Sequence, residues 1–203
     1  MDPLLLPIVT AFALGAVHAF DPDHVAAVTA FVSRRPRPRE AVGFGVRWGV
    51  GHSAAILAAG VFLIALGVRI PPALDSALEL LVGLILIGLG VWLLRELRRS
   101  DRLPGGPARA GTVWVGVVHG LAGTAALLAL LPVTLIASPL HSAAYLASFG
   151  VGTIMAMAAY GLAAGWLFRR AGRVHPRWTT GIRAGAAVAS LVIGGLWIGM
   201  VLL

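Results

Sequence analysis

FALGAVHAFDPDHVAAVTAFV, residues Phe12–Val32, sets four ionisable residues within seven positions of an otherwise apolar stretch. They are His18, Asp21, Asp23 and His24, with Pro22 standing among them. On a protein surface such a cluster is ordinary. Inside a bilayer each of these groups is costly and is a functional candidate by default. What the stretch means therefore depends on whether it lies in a membrane.

The surrounding sequence answers that it does. The 203 residues are 59% hydrophobic and 12% charged, where a soluble domain carries about 25% charged residues. Six apolar runs approach the ~20 residues that a bilayer core requires of a helix: Leu4–Phe31, Val42–Val68, Ala73–Leu94, Val113–Ala137, His141–Phe168 and Ile182–Leu203. The connections are too short for a separate domain, so residues 1–203 are expected to form one transmembrane domain. The net charge of +8 does not point to nucleic acid, because nearly all the arginines lie between the runs. Arg34, Arg35, Arg37 and Arg39 follow the first run; Arg95, Arg98, Arg99, Arg102 and Arg109 follow the third; Arg169, Arg170, Arg173, Arg177 and Arg183 follow or border the fifth. The alternate loops carry almost none. This positive-inside pattern predicts a multi-pass protein of the cytoplasmic membrane with both termini outside. Trp48, Trp92, Trp114, Trp166 and Trp178 fall towards the same side, as in an interfacial aromatic belt. No basic segment precedes the first run, unlike a signal peptide. Cysteine is absent, which excludes disulfides, thiolate metal sites and thiol redox chemistry.

The chain also echoes itself. GAVH at Gly15–His18 returns as GVVH at Gly116–His119, and WGVG at Trp48–Gly51 as FGVG at Phe149–Gly152, both at an offset of 101 (18 to 119, 49 to 150). Gly90-Val91-Trp92 and Gly195-Leu196-Trp197 are a third candidate pair at a slipped offset. The unit is three helices, about 1–100 and 108–203. An odd number makes the second copy enter the membrane from the opposite side, so the fold expected is all-α, with six transmembrane helices as two inverted repeats.

Within the first run, Pro22 cannot continue a helix. The break is expected near Phe20, with Asp21 as N-cap and Pro22 at the first position of a second half-helix. Freed carbonyls near His18, with Asp23 and His24 below, then converge as a cation site. His52 lies mid-span in Gly51-His52-Ser53, with Ser53 beside it to orient or supplement a ligand. His119 is the repeat partner of His18, while Asp21, Asp23 and His24 correspond to Ala122, Thr124 and Ala125. Imidazole with carboxylate and no thiolate suits divalent first-row ions. The competing readings are a solvated interface turn, which would leave Val25–Phe31 an orphan apolar stub, and satisfied core histidines at His52 and His119.

HAFDPDHVAAV resembles the HxxxxDH signature of the nickel/cobalt transporter family, and GHSAAI at Gly51–Ile56 resembles its second signature. HGLAGTAAL at His119–Leu127 and FGVGTIMAM at Phe149–Met157 are similar to its UreH-like branch of six-span proteins. The resemblance covers nearly the whole chain. It implies His18, Asp23 and His24 as the metal-recognition set, with Asp21 supporting and His52 next. Pro22 and Ala156 depart from the usual residues, and His119 stands where longer relatives carry Asp. The function expected is secondary transport of Ni2+ or Co2+ by alternating access, with the ion as cargo, no cofactor and no enzymatic reaction. The alternatives are a transporter that uses the cluster as a proton relay and a membrane scaffold that delivers metal without moving it. An intramembrane metalloenzyme lacks an HExxH motif to support it.

Overall fold

The computed structural model describes residues 5–33, 37–66, 71–98, 109–122 and 138–202. Among these residues the protein is all helix: α1 Leu5–His18, α2 Pro22–Val32, α3 Pro38–Leu66, α4 Pro72–Arg98, α5 Arg109–Leu121, α6 Pro139–Val174 and α7 Pro176–Leu202. Five of them open on proline, whose fixed φ and missing N–H suit a helix's first position. Four are long and apolar enough to cross a membrane, and α1 with α2 form a broken fifth, bent by 61°. Broad apolar surface is exposed, from Leu6 and Val17 to Leu196 and Met200, as lipid contact requires. The protein is thus a multi-pass helical membrane protein. The lower part of the fourth expected span, 123–137, lies outside the described residues, as do Thr124, Ala125 and the loop arginines Arg34, Arg35, Arg69, Arg99 and Arg102.

The break falls where the sequence places it. Continuing a helix through proline costs about 3 kcal/mol. The chain instead closes α1 with tight bonds, Phe20 N–H to Val17 O (3.0 Å) and Asp21 N–H to His18 O (3.0 Å), and restarts with Val25 N–H to Asp21 O. Asp21 occupies the N-cap position, but its side chain makes no cap hydrogen bond.

One connection differs from expectation. The arginine-rich segment after Phe168 is not a loop: α6 continues to Val174, and only His175 separates it from α7. Hydropathy marks the apolar part of a helix, whereas Arg and Ala are good helix formers on either side of the membrane boundary.

α6 packs along α3 and α1, α5 along α3, and α4 along α7. Glycines carry the close approaches, as small residues do between membrane helices. A Cβ at Gly15 would strike the Phe149 carbonyl, and one at Gly116 would strike the Trp48 carbonyl. Gly152 lies likewise on the Phe12 carbonyl, and Gly51 on that of Val113. A Cβ at Gly49 would come within 3.0 Å of Ile154, and one at Gly150 within 2.8 Å of Ser53. Each contact has its counterpart 101 positions along, with the two halves exchanged. The third candidate pair lacks this agreement: Gly90 abuts Ala187 and Leu191, while Gly195 faces open space.

Candidate metal centre

The break brings the polar residues of the first span to one point. His18 is the last residue of α1 and is buried. Its Nδ1 lies 2.8 Å from Asp21 Oδ2, at ion-pair distance but outside hydrogen-bond alignment. Asp21 is thereby drawn to His18 rather than to the backbone of α2. The Asp21 side chain is 45% exposed and is the open edge of the cluster.

On its other side, His18 Nε2 lies 3.2 Å from His52 Nε2, which α3 supplies. As neutral rings the two can share one hydrogen. As ligands of one ion they already stand at a suitable spacing, because two nitrogens bonded at about 2.1 Å are roughly 3.0–3.4 Å apart in octahedral or tetrahedral geometry.

His24 turns back over the break, and its Nδ1 donates to His18 O at 3.1 Å. A carbonyl only accepts, so the proton sits on Nδ1 and Nε2 keeps its lone pair. That Nε2 lies 3.6 Å from Asp23 Oδ2. The carbonyl expected to serve as a ligand is therefore occupied in orienting His24. His119 follows the same logic in α5: Nδ1 donates to Val115 O at 2.8 Å, and the buried Nε2 has no partner.

Ligand atoms of His18, His24 and His52 all fall within 4.8 Å of one another, and so do those of Asp21, Asp23 and His24. His24 belongs to both triads. His119 belongs to neither, although its ring is 5.9 Å from that of His24. Outside the cluster, His141 is half-buried at the start of α6 and His175 is exposed.

Two aromatic residues wall the site. Trp48 stacks on His52 (4.8 Å between centroids, 14° between planes) and touches the rings of His24 and His119. Phe149 lies 5.5 Å from the His18 ring. Trp48 is fully buried, which corrects its expected place in the interfacial belt; Trp114, Trp166 and Trp178 remain exposed. The i, i+4 spacing of Trp48 and His52 was the available signal, since it puts both on one helix face. The hydroxyl of Ser53, next to His52 in sequence, donates to Gly150 O at 3.1 Å and ties α3 to α6. Thr153, the repeat counterpart of His52, donates to Gly15 O at 3.1 Å and holds α1 against α6.

Residues 4–102 match the family model NicO, described as high-affinity nickel-transport protein. The urease accessory protein UreH of Bacillus sp. (strain TB-90) is 31% identical over 172 residues, 77% of this chain and 75% of that relative. A putative nickel/cobalt efflux system of Methanocaldococcus jannaschii is 28% identical over 157 residues, 75% of this chain and 73% of the relative. The chloroplast protein FOR GROWTH AND FERTILITY 1 of Arabidopsis thaliana is 29% identical over 216 residues, which take in 95% of this chain and 58% of that protein. No solved structure matches.

Proposed function

This chain belongs to the NicO family of nickel-transport proteins, and on that premise we propose that it is a secondary transporter of Ni2+ or Co2+ whose site is the cluster at the break in the first span. The observation that carries the proposal is the convergence of three buried imidazoles, His18, His24 and His52, within 4.8 Å, sharing His24 with a carboxylate pair. In this proposal His18, Asp23 and His24 hold the ion, Asp21 receives it at the exposed edge, and His52 and His119 complete or gate the site. Imidazole favours nickel and cobalt over magnesium or calcium. The efflux relative's name supports the same pair of ions.

Alternating access between two inverted three-helix repeats is the mechanism that fits best. Its support is the exchange of contacts at the 101-residue offset: Gly15 on Phe149 in one half, Gly116 on Trp48 in the other. The arginine distribution supports loops one, three and five in the cytoplasm.

Radiolabelled nickel flux into proteoliposomes tests the proposal, with cobalt, zinc and manganese as competitors. Saturable flux that cobalt inhibits, and that His18→Ala and His24→Ala abolish, is the expected result. Tight binding without flux would make the protein a delivery scaffold. Metal-independent transport would make the cluster a proton relay.

A further inference from the structure

We propose that the cleft between Trp166 and the arginines of the last turns of α6 binds the phosphate of an anionic phospholipid. Its position follows from helix length. α6 has 36 residues, about 54 Å at 1.5 Å per residue, against a hydrocarbon core of about 30 Å. The last turns of α6 therefore leave the core and run through the headgroup layer. Trp166, 57% exposed, marks that boundary. A cleft of about 310 Å³ opens there, lined by Trp166, Arg169, Arg170, Arg173 and Val174.

Charge decides what fits it. The other two basic segments carry their own acids: Arg37 pairs with Glu40 at 3.8 Å, and Glu96 and Asp101 lie among Arg95–Arg102. After Asp101 the chain contains no acidic residue at all. No ion pair engages Arg169, Arg170 or Arg173 among the described residues. Arg183 is spent elsewhere, donating to Ser33 O at the end of α2. Topology alone would be served by any basic loop; it does not account for three uncompensated guanidinium groups around one cleft.

The walls favour a lipid over a small anion. Arg170 lies over the Trp166 ring at 5.4 Å, so the indole face and the guanidinium plane meet at one corner. Leu167 and Val174 are exposed beside them and offer apolar contact to a glycerol and the first methylenes of acyl chains. Guanidinium forks bind phosphate oxygens in pairs, and a basic cluster at this level attracts the anionic leaflet.

The test uses the full-length protein in detergent, titrated with phosphatidylglycerol or phosphatidylcholine and followed by native mass spectrometry. Wild type is expected to retain phosphatidylglycerol preferentially. The triple variant Arg169→Gln, Arg170→Gln, Arg173→Gln should weaken that binding by roughly 100-fold, while Arg37→Gln with Arg39→Gln leaves it unchanged. Trp166→Ala keeps every charge and should weaken it several-fold, which separates the cleft from bulk charge. Equal retention by the triple variant, equal binding of phosphatidylcholine, or displacement by inorganic phosphate at the lipid's own concentration would overturn the proposal.

Discussion

Gly15 presses on the carbonyl of Phe149 three residues before His18, and Gly116 presses on the carbonyl of Trp48 three residues before His119. Up to those histidines the two regions are the same device. Beyond them they part. After His18 the chain reads Ala-Phe-Asp-Pro-Asp-His and bends by 61°. After His119 it reads Gly-Leu-Ala-Gly-Thr-Ala, and α5 runs on to Leu121. The aromatic residues differ too, since Trp48 touches three imidazoles and Phe149 only one. The glycine contacts recur in both halves at the 101-residue offset, whereas both clusters of possible ligands lie wholly in the first half.

The largest expected effect comes from testing that asymmetry at its centre. His24→Ala should lower nickel flux at least 100-fold, whereas His119→Ala, outside both triads, should lower it about ten-fold, the range of a supporting residue. Equal losses would mean that both halves ligate the ion. The shared scaffold predicts the opposite pattern for the glycines. Gly15→Ala and Gly116→Ala should each cost about 1–3 kcal/mol of stability, seen as matched drops in thermal midpoint of the purified protein. A drop confined to one would break the equivalence of the two clasps.

Acid should act through the imidazoles. A ligand nitrogen binds a proton or a metal ion but not both. Flux is therefore expected to weaken as the pH is lowered from about 7.5 to about 5.5, and a flat profile would count against histidine ligation. The smallest effect is at the open edge: Asp21→Asn should raise the apparent KM for nickel about three-fold with little change in maximal flux, because Asp21 is half-exposed and solvent screens its charge.

What the sequence made legible was local. Pro22 dictates the break wherever the helix goes, and the residues at the break are then neighbours by necessity. His52 was legible because histidine is rare inside a span. Trp48 was not, since tryptophan near a span end ordinarily means an interface, and only the packing of α5 and α6 around α3 buries it. The partners of Asp21 and Ser53 were less legible: Asp21 sits at the N-cap position but lies against His18, three residues back, and the Ser53 hydroxyl donates to the tertiary Gly150 carbonyl. The helical continuation of α6 past Phe168 was hidden because hydropathy ends before the helix does.

The most direct test of the central claim is nickel-edge X-ray absorption of the purified protein loaded with one equivalent of Ni2+. Imidazoles from both sides of the first-span break and from α3 should give a nitrogen shell at about 2.1 Å with the outer-ring scattering of at least two histidines, and His52→Ala should remove one of them. An all-oxygen shell that is unchanged by His24→Ala and His52→Ala would contradict it.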